Sequence, residues 1–241
     1  MKTFGLVCLL SVVALTTAWA GNTATIPEPR SFPTNWMSRH EALVAHAKQG
    51  GVDLLFLGDS ITDGWHWDKG GFNVWNKFYA PRNAANLGIG WDRTQNVLWR
   101  ITHGELDGLH PKVVVLLIGT NNTGNEDDGK PRNSPAEVVE GITTIIKELQ
   151  TRLPNSRILL LGLFPRGEKT DPIRDQVKEI NSQLSKLDDG KTISFLDIGP
   201  KLLEPDGTLS KEIMPDLLHP SEKGYQIWAE AMEPTLATML K

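Results

Sequence analysis

Beyond residue 20, three stretches of this chain are apolar almost without interruption: Val52 to Leu57, Val113 to Ile118 and Ile158 to Phe164. A strand facing water on one side alternates apolar with polar residues. A run without that alternation suits a strand buried on both faces of a parallel sheet. Ala85 to Asp92 and Ile193 to Ile198 add two shorter strand candidates. One-faced helices are expected between them. Ser134, Pro135 and Glu137 form a capping box with proline at the first helical position, and Val138, Ile142, Ile145, Ile146, Leu149 and Leu153 follow at spacings of three and four. Pro172 opens a second such helix, with Ile173, Val177, Ile180, Leu184 and Leu187 as its stripe, and Thr94 to Ile101 has helix character. Buried strands alternating with one-faced helices predict a three-layer α/β/α sandwich around a parallel sheet with right-handed crossovers.

Residues 1–20 are read apart from that fold. Lys2, an apolar run from Phe4 to Leu15, and Ala18 and Ala20 around Trp19 have the form of a secretory signal peptide cleaved after Ala20. The run is shorter than the ~20 residues a spanning helix needs, so no stable membrane insertion is expected once it is removed. The single cysteine, Cys8, lies inside it. The exported chain would therefore have neither a disulfide nor a thiolate metal site. Residues 21–50 read as a loose lead-in followed by a helix over Trp36 to Lys48, with Met37, Leu43, Val44 and Ala47 as its apolar residues. Residues 51–241 read as one globular domain with that lead-in. The 25 Lys and Arg against 29 Asp and Glu, with no basic cluster, argue against nucleic acid as a partner. The closing helix carries Tyr225, Trp228, Met232 and Leu236 on one face, and Pro234 is expected to kink or restart it.

The chemistry gathers where strands end. Gly58 permits a sharp turn, and Ser60 emerges just beyond the carboxyl end of its strand, where open α/β sheets place their ligand sites. Asn121 follows the Val113 strand and can donate its side-chain amide to a developing oxyanion. The turn around Gly88 and Gly90 lacks the full dinucleotide-binding pattern but offers backbone N–H groups at a helix start. Asp216 stands three residues before His219 in a constrained loop, spaced to fix the imidazole tautomer. A serine hydroxyl needs a base, the base needs an orienter, and a tetrahedral intermediate needs oxyanion donors. The chain has one candidate for each role. Trp65, His66, Trp67 and Trp75 add aromatic rings close to Ser60 in sequence. The loop from Asn125 to Arg132 lacks the alternating ligands of a calcium site.

GDSIT, NLGIGWD, GTNN and DLLHP resemble, in order, the four blocks of the SGNH, or GDSL-type, esterases and lipases. The flanking matches are most similar to the catalytic subunits of platelet-activating factor acetylhydrolases, over roughly Val52 to Tyr225. The resemblance implies a flavodoxin-like sheet and acyl-ester hydrolysis without metal or cofactor. It makes Ser60 the nucleophile, His219 the base and Asp216 its orienter, with the backbone N–H groups of Ser60 and Trp91 and the Asn121 amide as oxyanion donors. Asp59, Trp65, Gly90 and Trp91 are expected to touch substrate. Relatives usually have glycine where this chain has Trp91, and its indole is expected to narrow the acyl pocket toward acetyl. With all but one of the eight tryptophans beyond residue 20, an acylated carbohydrate is the favoured substrate. The rivals are a lipid or phospholipid acylhydrolase and a non-catalytic glycan-binding protein on an esterase scaffold. Export would place the protein in a periplasm or outside the cell.

Overall fold

A computed structural model describes residues 21–241, so the leader read from residues 1–20 lies outside the described residues. Five parallel strands, β1 (Leu54–Gly58), β2 (Ala84–Gly88), β3 (Val113–Leu117), β4 (Arg157–Leu161) and β5 (Ile193–Leu196), lie side by side in the order β2-β1-β3-β4-β5. The expected sheet is thus borne out, and β1 and β3 are buried along their whole length. The helices are α1 (Trp36–Ala47), α2 (Ser60–Asp63), α3 (Phe72–Phe78), α4 (Thr94–Thr102), α5 (Pro135–Arg152), α6 (Ile173–Leu184) and α7 (Glu222–Met239). α5 touches both α4 and α6, while α3 packs on α7, which gives the two outer layers of the sandwich. The chain leaves β1 toward β2 on one side and returns to β3 on the other. Ligands of open α/β sheets bind at that reversal, outside the carboxyl ends of the strands.

Close packing at that edge requires two glycines. Gly58 and Gly88 pair in register. A Cβ on Gly58 would fall 2.2 Å from the Leu117 carbonyl oxygen, and one on Gly88 would fall 2.2 Å from the Asp63 backbone nitrogen. Glycine at both positions lets β1, β2, β3 and α2 meet with no side chain between them. The Tyr225 hydroxyl, fully buried on α7, donates to the Ile61 carbonyl at 2.7 Å and ties α2 to the outer layer.

Three expectations change. The lead-in is anchored: Asn22 caps a 3-10 turn at Thr23–Thr25 and donates to the Glu137 carbonyl, Ala24 is buried, and Thr94 Oγ1 donates to the Ala24 carbonyl. Its Asn22 side chain and Ala24 carbonyl meet partners on α5 and α4, which composition does not register. In α1 the buried residues are Trp36, His40 and Ala47, whereas Met37 is exposed. A histidine takes the inward face because Glu105 waits there, 2.8 Å from its Nδ1. α7 runs through Pro234 without restarting. Pro234 is on the exposed side, where the carbonyl that loses its helical partner can turn to water.

Candidate active site

Ser60 opens α2 directly after β1, with Asp59 as the N-cap. The Asp59 side chain accepts from the Ile61 N–H at 2.9 Å and is 1% exposed. Asp59 is therefore not placed to touch substrate; it shapes the turn. Burial pushes its carboxyl up to about 7, against the pull of the Ile61 N–H. Its backbone carbonyl accepts from the Asp63 N–H at 2.8 Å.

From the far end of the chain, the loop before α7 brings His219 to Ser60, with Nε2 2.9 Å from Oγ. The Nδ1 atom lies 2.6 Å from Asp216 Oδ2. With the Nδ1 proton on the carboxylate side, Nε2 is left to accept the serine proton. Asp216 Oδ1 also accepts the backbone N–H groups of Leu218 and His219, at 3.0 and 2.7 Å. Burial raises the Asp216 carboxyl, but the bonds from the His219 ring and backbone outweigh it and hold the group below the ordinary carboxylate range. The carboxylate side chain is 55% exposed, so solvent screens part of its field. Leu217 between them has φ 60°, and its carbonyl accepts from the Gly167 N–H.

The oxyanion side is built on the loop after β2. Trp91 has φ 68°, the left-handed region that glycine enters freely and that costs another residue about 1–2 kcal/mol. Its neighbours hold it there. The Gly90 carbonyl accepts from Arg30 Nη1 at 2.9 Å, and the Asp92 carbonyl accepts from Asn121 Nδ2 at 3.0 Å. The Asp92 carboxylate takes the Trp36 indole N–H and Arg100 Nε, both at 2.7 Å. With both flanking carbonyls engaged, the N–H groups of Trp91 and Ser60 have no acceptor among the described residues. Asn121 has a second amide hydrogen beyond the one given to Asp92. Gly90 sits against the nucleophile candidate: a Cβ there would lie 3.9 Å from Ser60 Cβ.

Behind these groups are residues that sequence reasoning missed. Asn122 is fully buried; its Oδ1 accepts from the Thr94 N–H at 2.9 Å, and its Nδ2 donates to Asn133 Oδ1 at 2.9 Å. It clips the start of α4 to the turn carrying Asn121. Arg132 and Arg166 donate to the carbonyls of Asn121 and Thr120 at 3.1 and 3.0 Å. Arg100 binds the carbonyls of Leu87 and Gly58 as well as Asp92 and Glu105. The second asparagine of TNN was the one readable signal; the arginines gave none.

The tryptophans divide differently from expectation. Trp65 is 0% exposed, wedged among Phe56, Tyr79, Tyr225 and Trp228, so it is core and not a substrate contact. Trp91 is 65% exposed and borders a pocket of about 290 Å³ that also reaches Asn121, Arg30, Arg93 and Arg132. Glu126 bridges Arg93 and Arg132, and the Arg93 guanidinium holds its carboxyl below the ordinary range. Among the described residues no cluster of His, Cys, Asp and Glu could hold a metal ion, and no helix is long and apolar enough to cross a membrane.

The model of the GDSL-like lipase/acylhydrolase family matches residues 56–227. The human platelet-activating factor acetylhydrolase IB subunit alpha1 is 35% identical over 206 residues, covering 85% of this chain and 84% of that one. The rat alpha2 subunit is 37% identical over 209 residues, covering 85% and 86%. Among solved structures, a putative platelet activating factor from Streptococcus pneumonia superposes with a TM-score of 0.66 at 22% identity, over 84% of this chain and 95% of that one. The acetyl xylan esterase AlAXEase does so with a TM-score of 0.64 at 20% identity, over 76% and 98%, a likeness of fold.

Proposed function

Because the chain belongs to the GDSL-like lipase/acylhydrolase family and is an ester hydrolase, we propose that it is an exported serine esterase that removes acetyl or similarly short acyl groups from carbohydrate. One observation carries the mechanism: Ser60 Oγ, His219 and Asp216 form an unbroken hydrogen-bonded line of 2.9 and 2.6 Å. As Oγ attacks the ester carbonyl carbon, its proton passes to His219 Nε2. The negative oxygen is received by the N–H groups of Ser60 and Trp91 and the Asn121 amide. The ester C–O bond then breaks, the leaving alkoxide takes the proton from His219, and the acyl group stays on Ser60. A water deprotonated by His219 releases it as the carboxylate. Asp216 keeps the imidazole in the required tautomer throughout.

The acetyl reading rests on the relatives, which are named for acetyl hydrolysis, and on the charged lining of the pocket beside Asn121 and Trp91. Arg30, Arg93 and Arg132 are poor company for a long alkyl chain. The carbohydrate reading rests on exposed indoles beside the site, at Trp67 and Trp91. The phospholipid reading is favoured by the relatives' names. A binding-only reading has no support of that kind, since the left-handed Trp91 keeps its N–H unengaged.

A substrate panel separates these. The mature enzyme is expected to hydrolyse p-nitrophenyl acetate at least about tenfold faster, by kcat/KM, than the octanoate. It is also expected to prefer an acetylated pyranoside to an acetylated phospholipid. Rates rising with chain length, or preference for the phospholipid, would overturn the proposal. Export is supported by the form of residues 1–20. The protein recovered outside the cytoplasm is expected to begin at Gly21 by intact mass; an unprocessed chain kept in the cytoplasm would refute that part.

A further inference from the structure

Trp67 is 37% exposed, and its ring centre lies 5.4 Å from that of His219. Unlike a free surface tryptophan, it is braced on several sides. Its indole N–H donates to Asp63 Oδ2 at 3.1 Å. Asp63 in turn receives both Nη atoms of Arg39, at 3.1 and 2.6 Å, and Arg39 Nη2 donates to the Gly88 carbonyl. The Trp67 N–H is held by the Gly64 carbonyl at 3.2 Å. A Cβ on Gly64 would come within 3.3 Å of the indole, which shows how closely the ring lies on that backbone. An indole fixed before substrate arrives loses little rotamer freedom on binding.

The chemistry says which half of the ester meets it. His219 Nε2 takes the Ser60 proton and must deliver it to the leaving oxygen, so the leaving alcohol lies against the imidazole, whose ring neighbours Trp67. Resting on the esterase reading above, we infer that Trp67 is the specificity residue for the alcohol half and stacks on the C–H face of a sugar ring while acetyl transfers to Ser60. The polar edge of the indole is already engaged by Asp63, leaving the apolar face for the ligand. A quaternary ammonium would call instead for a cage of several rings. The four side chains behind this platform, Arg39, Asp63, Trp67 and His219, come from three separated parts of the chain.

The test compares wild type, Trp67→Ala and Trp67→Phe on three acetyl esters: acetylated methyl β-xylopyranoside, acetylcholine and ethyl acetate. Wild type is expected to favour the pyranoside. In Trp67→Ala the ratio of its kcat/KM to that of ethyl acetate should fall about tenfold, chiefly through KM, with Trp67→Phe restoring most of it. A drop shared equally by the pyranoside and ethyl acetate would mean that Trp67 merely braces His219, and loss confined to acetylcholine would assign the ring to a cation; either overturns the inference. So does a wild-type preference that survives in Trp67→Ala, which would leave the carbohydrate reading standing. A wild type with no preference for the pyranoside overturns both.

Discussion

Ser60→Ala is expected to lower kcat/KM for p-nitrophenyl acetate by about 10⁴–10⁶-fold while leaving the fold intact. The size follows from removing the nucleophile of a unit whose members act together. The intact fold follows from the contacts: among the described residues the Ser60 side chain hydrogen-bonds only to His219 Nε2, and α2 is capped by Asp59 and tied down through Tyr225. His219→Ala should cost a comparable factor, and the double variant little more than either alone, because each single change already breaks the same proton path. Circular dichroism and a urea melt beside the kinetics keep the result interpretable. A folded Ser60→Ala protein keeping more than about a hundredth of wild-type activity would remove Ser60 from the mechanism. A strictly additive double variant would show that the two residues do not work as one unit.

Arg100→Met should be the most damaging single change to stability among the residues around the site, costing about 3–5 kcal/mol. Arg100 is 0% exposed and holds two buried carboxylates, Asp92 through Nε at 2.7 Å and Glu105 through Nη1. Removing the guanidinium leaves two carboxylates close together and 0% exposed, with only the more distant Arg30, 3.5 Å from Asp92, and the His40 ring, 2.8 Å from Glu105, beside them. A protein of this length should lose roughly 10 °C or more in melting temperature. Arg100→Lys is expected to rescue little, since an ammonium cannot reproduce the fork that also grips the Leu87 and Gly58 carbonyls at 3.0 and 3.2 Å. Those carbonyls end the two strands whose following turns present the Trp91 and Ser60 N–H groups, so kcat should fall even where the variant remains folded. The triple variant Asp92→Asn, Arg100→Met, Glu105→Gln should regain much of the stability, because the two fully buried carboxylates are then neutral amides and only the partly exposed Arg30 loses a partner. A loss below about 1 kcal/mol for Arg100→Met would show that the carboxylates find other partners.

Much of this protein was legible in the chain alone. Uninterrupted apolar runs mark strands buried on both faces, and such runs fix a covered parallel sheet whatever the loops do. The capping box at Ser134 and Glu137 forms as read, with each side chain bonded to the other's backbone. Ser60, Asn121, Asp216 and His219 were named because catalysis needs their chemical types at strand ends and in a constrained loop, and the fold does bring them to one edge. Trp65 and Trp67 show the limit. They stand two residues apart with the same side chain, yet the turn after α2 sends one into the aromatic core and the other to the rim beside His219. No periodicity distinguishes them, because a short 3-10 turn over Gly64–His66 separates α2 from the extended backbone at Trp67.

What the sequence determined by itself was therefore the layering of the fold and the identity of the reacting groups, since both follow from side-chain type and local spacing. What only the tertiary structure decided was which groups support them. Asp59 became a buried cap, His40 an inward-facing partner of Glu105, and Arg100 the clamp behind the oxyanion turn. The left-handed backbone at Trp91 is held by Arg30 and Asn121, residues 61 and 30 positions away along the chain. Contacts of that reach are set by the packing of the sheet edge, where buried polar groups must find partners across the fold or carry the cost of desolvation.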